Sequence, residues 1–131
     1  MNCFHLALPS HDLKATKEFY AKLGFEFGRE SDDFLIMNFF NNQVVFHKSG
    51  PITGIIRKPK MYPRHYGMII DDELTFRALA DTYLEYKEHI FEDLFHRYEG
   101  KLEEHKTFFL KDPSNNLIEF KWYKNPEKIF S

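Results

Sequence analysis

Apolar and polar positions along the chain fall into short runs, and the runs come in the same order twice. Phe4 to Leu8 is an apolar run that predicts a strand ended by Pro9 and Ser10. From Asp12 to Leu23, the residues Leu13, Ala15, Phe19, Tyr20 and Leu23 recur at helical spacing. Ser10 or Asp12 supplies an N-cap for this helix and Gly24 a stop. Strands are predicted at Phe25 to Glu30, Phe34 to Phe40 and Gln43 to Lys48. Asn41-Asn42 joins the last two as a tight turn, because Asn tolerates positive φ.

The second half repeats this order. His65 to Ile70 predicts a strand. Asp71-Asp72 then precedes a helical pattern carried by Leu74, Phe76, Leu79, Ala80, Tyr83, Leu84 and Tyr86. Strands follow at Ile90 to Tyr98, His105 to Leu110 and Leu117 to Tyr123, with a turn at Asp112 to Asn116. The fold class is therefore α+β, built from two βαβββ modules. Module one spans 1–48, a Gly- and Pro-containing linker 49–63, module two 64–123 and a polar tail 124–131.

Three ionisable residues interrupt the apolar runs. They are His5 on the first strand, His65 on the fifth and Glu119 on the eighth. Buried ionisable groups are usually paired or bound to a metal, because an isolated charge in apolar surroundings is costly. Two histidines and one carboxylate also form the facial metal triad, which leaves coordination positions open. Strand side chains alternate faces, so His5 shares its face with Cys3 and Ala7, and His65 with Gly67 and Ile69. Small neighbours leave space over an imidazole for an ion and a ligand. His5 and His65 occupy the same slot in the two half-repeats, so a pseudo-twofold pairing of the halves would bring them together. Singly, each of the three reads as an ordinary structural residue; together in a duplicated frame they read as a site.

Composition narrows the partners. The 131 residues suit one domain with a real core. The net charge of -2, without a long basic run, argues against nucleic acid and an anionic membrane surface. The only cysteine is Cys3, so no intrachain disulfide forms, and a reducing cytoplasmic setting is expected. No signal peptide is expected, and no apolar run approaches the ~20 residues that cross a bilayer. Aromatic residues reach 18%, which suits a thick core or the wall of an apolar cavity.

Two segments carry a family resemblance. One is Phe4-His5-Leu6-Ala7-Leu8, followed by Asp12-Leu13 and Phe19-Tyr20-Ala21-Lys22-Leu23-Gly24-Phe25. The other runs from Phe108 to Phe120 and contains Asp112-Pro113-Ser114-Asn115-Asn116-Leu117-Ile118-Glu119. In combination they resemble the vicinal oxygen chelate superfamily of glyoxalase I, bleomycin and fosfomycin resistance proteins and extradiol dioxygenases. The resemblance implies a cupped mixed sheet around a divalent metal, with His5, His65 and Glu119 at the metal-ligand positions. It also implies a homodimer and a small-molecule substrate bound through oxygen atoms.

Many glyoxalase I enzymes add a glutamate from the fourth strand. Here that strand offers Gln43, Val45 and His47, with Val45 aligned to Glu119. The missing carboxylate points away from glyoxalase I and toward the two-histidine, one-carboxylate members. The resemblance therefore favours Fe(II) or Mn(II), while nitrogen and oxygen donors also suit Zn(II) or Ni(II). Dioxygenase-like chemistry is the first expectation. The alternatives are a glyoxalase-like lyase or isomerase, a fosfomycin-resistance-like transferase, and a bleomycin-resistance-like binding protein without turnover. Tyr123, on the Glu119 face, and His47, on the Val45 face, are candidate catalytic residues, each with a plain packing or surface reading beside it. Arg64, Lys121 and His105 are candidate cavity residues on the same reasoning, and Glu103-Glu104 reads as a solvated face.

Overall fold

The computed structural model describes residues 1–54 and 64–131. Of the linker read at 49–63, residues 55–63 lie outside the described residues. Two compact units emerge, one from residues 1–54 with Asp112–Asn116, the other from residues 64–111 with Leu117–Ser131.

In the first unit, β1 (His5–Ser10), α1 (Leu13–Lys22), β2 (Glu26–Glu30), β3 (Phe34–Phe39) and β4 (Asn42–Lys48) form a sheet of order β1-β4-β3-β2. In the second, β5 (Tyr66–Ile69), α2 (Glu73–Asp81), β6 (Ile90–Arg97), β7 (His105–Lys111) and β8 (Leu117–Tyr123) give the order β5-β8-β7-β6. Both sheets are mixed: the helix-connected strands β1 and β4 pair parallel, as do β5 and β8, while the hairpin-connected strands pair antiparallel. The predicted βαβββ order is present in each unit.

Local chemistry accounts for the helix starts. Asp12 caps α1 by accepting from the Ala15 amide at 3.0 Å, and Asp72 caps α2 through the Thr75 amide at 3.0 Å. α1 buries Thr16, Phe19 and Tyr20, and α2 buries Phe76 and Leu79. Tyr20 stacks on Phe46 of β4 at 5.0 Å between centroids, and Phe76 meets Phe108 of β7 at 5.3 Å. One face of each sheet is thus covered by its helix. Each fully buried ring adds roughly 1.5–3 kcal/mol of hydrophobic stabilisation.

Three local expectations are corrected. Pro9 and Ser10 do not end β1, which continues to Ser10 because an edge strand tolerates a missing amide donor. The β3–β4 turn sits at Phe40-Asn41, both at positive φ, one residue before the predicted pair; Asn38 Oδ1 accepts from the Asn41 amide at 2.7 Å. The second helix stops at Asp81, so Tyr83, Leu84 and Tyr86 lie beyond it.

The Asp112–Asn116 turn, read as part of module two, groups with the first unit. Asp112 is buried and accepts from the Tyr20 hydroxyl at 2.8 Å, the Ser114 and Asn116 amides at 2.9 Å and Asn116 Nδ2 at 2.9 Å. Asn116 Nδ2 also donates to the Pro9 carbonyl at 2.9 Å. The Asp and Asn of this motif are therefore structural ties.

Candidate functional site

The face of each sheet turned away from its helix carries the candidate residues. In the second unit, Glu119 lies at the centre of β8, paired with Gly67 on β5 and Phe109 on β7. Its carboxylate is 8% exposed, and both oxygens are engaged. His65 Nε2 lies 3.1 Å from Oε1, and Thr107 Oγ1 donates to Oε2 at 2.5 Å. The His65 ring stands edge-on to Phe109, with centroids 5.0 Å apart. Burial pushes the Glu119 carboxyl up, but the hydrogen bonds from His65 and Thr107 and the nearby Lys121 charge outweigh it. The group is held below the ordinary glutamate range, as a carboxylate.

Gly67 makes this pairing sterically feasible. A Cβ at Gly67 would stand 1.8 Å from the Glu119 carbonyl oxygen. The small residue beside His65 thus admits the β8 backbone itself, where the sequence suggested space for a ligand.

In the first unit, the row that contains His5 crosses all four strands. His5 pairs with Gln43, Gln43 with Asn38, and Asn38 with Glu26. His5 Nδ1 lies 2.7 Å from Gln43 Oε1, an amide oxygen that accepts from Nδ1. His5 is exposed, and Val45 is buried in the slot that Glu119 fills in the other unit. A groove of about 390 Å³ opens on this unit, lined among others by Cys3, Glu26, Gly28, Ile36, Asn38 and Gln43.

The remaining candidates fall elsewhere. Tyr123 stacks on His105, with centroids 4.6 Å apart, and stands four residues along β8 from Glu119, about 13 Å at strand rise. His105 is buried, is held below the ordinary imidazole range chiefly by burial, and lies 3.0 Å through Nδ1 from the Glu103 carbonyl. His105 Nε2 is buried without a partner. His47 is exposed near the end of β4, opposite Pro9 and Phe34. Glu104 corrects an expectation: it is buried, bound to the Gly100 amide at 2.9 Å and to His96 at 3.4 Å, where a solvated face was predicted. Thr107 and Gln43 carried no signal as site residues in the sequence. A sheet register places both beside candidate ligands, and no pattern along the chain reveals it.

Among the described residues, no three His, Cys, Asp or Glu side chains form one cluster that could hold a metal ion. The donor set of the second unit nevertheless fits such an ion. Two donors each about 2.1 Å from one octahedral ion stand roughly 3.0 Å apart, and His65 Nε2 and Glu119 Oε1 stand 3.1 Å apart. No described helix is long and apolar enough to cross a membrane.

Comparison with known proteins supplies the remaining evidence. A family model described as the glyoxalase/bleomycin resistance protein/dioxygenase superfamily matches residues 3–120. A solved glyoxalase/bleomycin resistance protein/dioxygenase from Alicyclobacillus acidocaldarius is 40% identical, with a TM-score of 0.82 over 98% of this chain and 96% of that one. A fosfomycin resistance protein from Listeria monocytogenes shares the fold at 13% identity and a TM-score of 0.74, over 98% of each chain. A lactoylglutathione lyase from Agrobacterium tumefaciens does so at 15% identity and 0.65, over 92% of each chain. No curated protein sequence matches the chain.

Proposed function

Because the chain belongs to the glyoxalase/bleomycin resistance protein/dioxygenase superfamily, we propose that it is a small divalent-metal-dependent enzyme. In this reading His5, His65 and Glu119 hold the ion, Fe(II) or Mn(II) by preference, and a small molecule binds through its oxygen atoms. The observation that carries the reading is the His65–Glu119 pair, an exposed imidazole whose Nε2 lies 3.1 Å from an oxygen of a buried carboxylate. His5 contributes Nε2, while its Nδ1 contacts Gln43. A divalent ion held there supplies Lewis acidity toward substrate oxygens and, if it is iron, activation of dioxygen.

Val45, where a fourth carboxylate would stand, supports a three-ligand site with open positions. That weighs against a glyoxalase-like lyase; dioxygenase-like chemistry is the first reading and a fosfomycin-resistance-like transferase the alternative. The groove of the first unit offers Glu26, Asn38 and Gln43 to polar groups of the substrate. His5 lies in the first unit and His65 and Glu119 in the second.

The absence of a three-ligand cluster among the described residues favours a second reading, small-molecule binding without metal or turnover. Metal analysis separates the two. Stoichiometric uptake that is lost in His5→Ala and in Glu119→Ala supports the enzyme. Wild-type protein that stays metal-free after incubation with Fe(II), Mn(II), Ni(II) and Zn(II) overturns it. Oxygen uptake with a panel of catechols, after anaerobic Fe(II) loading, then tests the dioxygenase version.

A further inference from the structure

We infer that Thr107 is a positioning residue for Glu119, and that its hydroxyl decides which carboxylate oxygen is available to a cation. The inference rests on the metal-site reading above. Thr107 is 1% exposed and sits on β7 opposite Lys121, while Glu119 sits opposite Phe109. The contact is therefore diagonal: the hydroxyl reaches back along the hairpin to Glu119 Oε2 at 2.5 Å. An O–H that donates to an ionised carboxylate belongs to the charge-assisted class.

Three consequences follow from the chemistry. A hydroxyl can donate a hydrogen bond to a carboxylate without bringing a positive charge, so it stabilises the anion without competing for a cation. With Oε2 engaged by Thr107, Oε1 is left on the His65 side at 3.1 Å. Threonine is also stiff at χ1, so the donor is held in place by the strand and does not follow the carboxylate if it rotates. The matching position in the first unit is Phe34, which pairs with His47 as Thr107 pairs with Lys121. That sheet has neither a carboxylate nor a hydroxyl at these two places, so the pair occurs on one sheet only.

Thr107→Val keeps the shape and removes the donor, and Thr107→Ser keeps the donor. Mn(II) affinity of the full chain, read by EPR of the free ion, is expected to fall about 10–100-fold in Thr107→Val, the range for loss of a supporting hydrogen bond. Thr107→Ser should stay within about threefold of wild type, since it retains that bond. A Thr107→Val protein that binds Mn(II) as tightly as wild type overturns the inference while leaving the metal reading intact. A Thr107→Ser protein as weak as Thr107→Val also overturns it, because packing and not the hydroxyl would then be responsible. Wild type that takes up no metal removes both. Should Thr107→Val fail to fold, proton NMR of the metal-free wild type decides. A slowly exchanging Thr107 hydroxyl proton coupled to the Glu119 carboxyl carbon supports the inference, and one exchanging at the solvent rate overturns it.

Discussion

The two sheets share topology and pairing, yet one holds a buried carboxylate with its hydrogen-bond partners and the other an exposed polar row. Ala7 pairs with Val45 and Val45 with Ile36, in the way Gly67 pairs with Glu119 and Glu119 with Phe109. Three substitutions within this common frame make the difference: Val45 against Glu119, Ala7 against Gly67, and Phe34 against Thr107. The first supplies the charge, the second the backbone approach, the third a hydrogen bond that joins the one from His65 in keeping the charge ionised. A buried carboxylate without such partners costs several kcal/mol. The cluster therefore comes as a set, whereas the His5–Gln43 contact, exposed to water, can be lost piecemeal.

The largest test of this contrast is Gly67→Ala. A Cβ 1.8 Å from the Glu119 carbonyl oxygen forces β5 away from β8, at an expected cost of about 3 kcal/mol or more in urea unfolding. Ala7→Gly, in the equivalent slot, should cost no more than about 1 kcal/mol. Equal losses at the two positions would break the comparison.

Glu119→Ala should weaken Mn(II) binding by more than the roughly 100-fold upper range for supporting residues, whereas Val45→Ala should leave it nearly unchanged. Isothermal titration measures both. A third test uses acid. The Glu119 carboxyl titrates below its unfolded value near 4.5. Its contribution to stability is fully present above the unfolded value and disappears as pH falls through the lower, folded one. Metal-free wild type should therefore lose its advantage over Glu119→Gln as pH drops below about 4.5 in this window. A stability gap that does not vary with pH would show that the cluster does not hold the charge. The smallest expected effect is Gln43→Ala, within about 0.5 kcal/mol by thermal unfolding, as for other surface substitutions.

Much of this was legible along the chain. Periodicity separates helix from strand, and alternation assigns faces, so the βαβββ order and the shared faces of His5, His65 and Glu119 followed from residue types alone. The Asn-Asn register placed Val45 opposite the role of Glu119, and the strand pairings agree. Glu104 was misread because its partners, the Gly100 amide and His96, come from a turn and a neighbouring strand. The Asp112–Asn116 turn looked like a simple connection, yet Tyr20 and Pro9, about a hundred residues earlier, receive it.

The sequence by itself determined the order of elements and the two-sided strands, because each depends on spacing within a dozen residues, and it singled out three candidate ligands, because ionisable residues there interrupt apolar runs. Only the tertiary structure decided which of those ligands is buried, which oxygen of Glu119 faces His65, and that Thr107 and Gly67 make that arrangement stable. Those outcomes depend on the register between strands far apart in the chain. Alternation with a period of two assigns faces, but a slip of two residues preserves them, so alternation carries no record of which residues pair between distant strands.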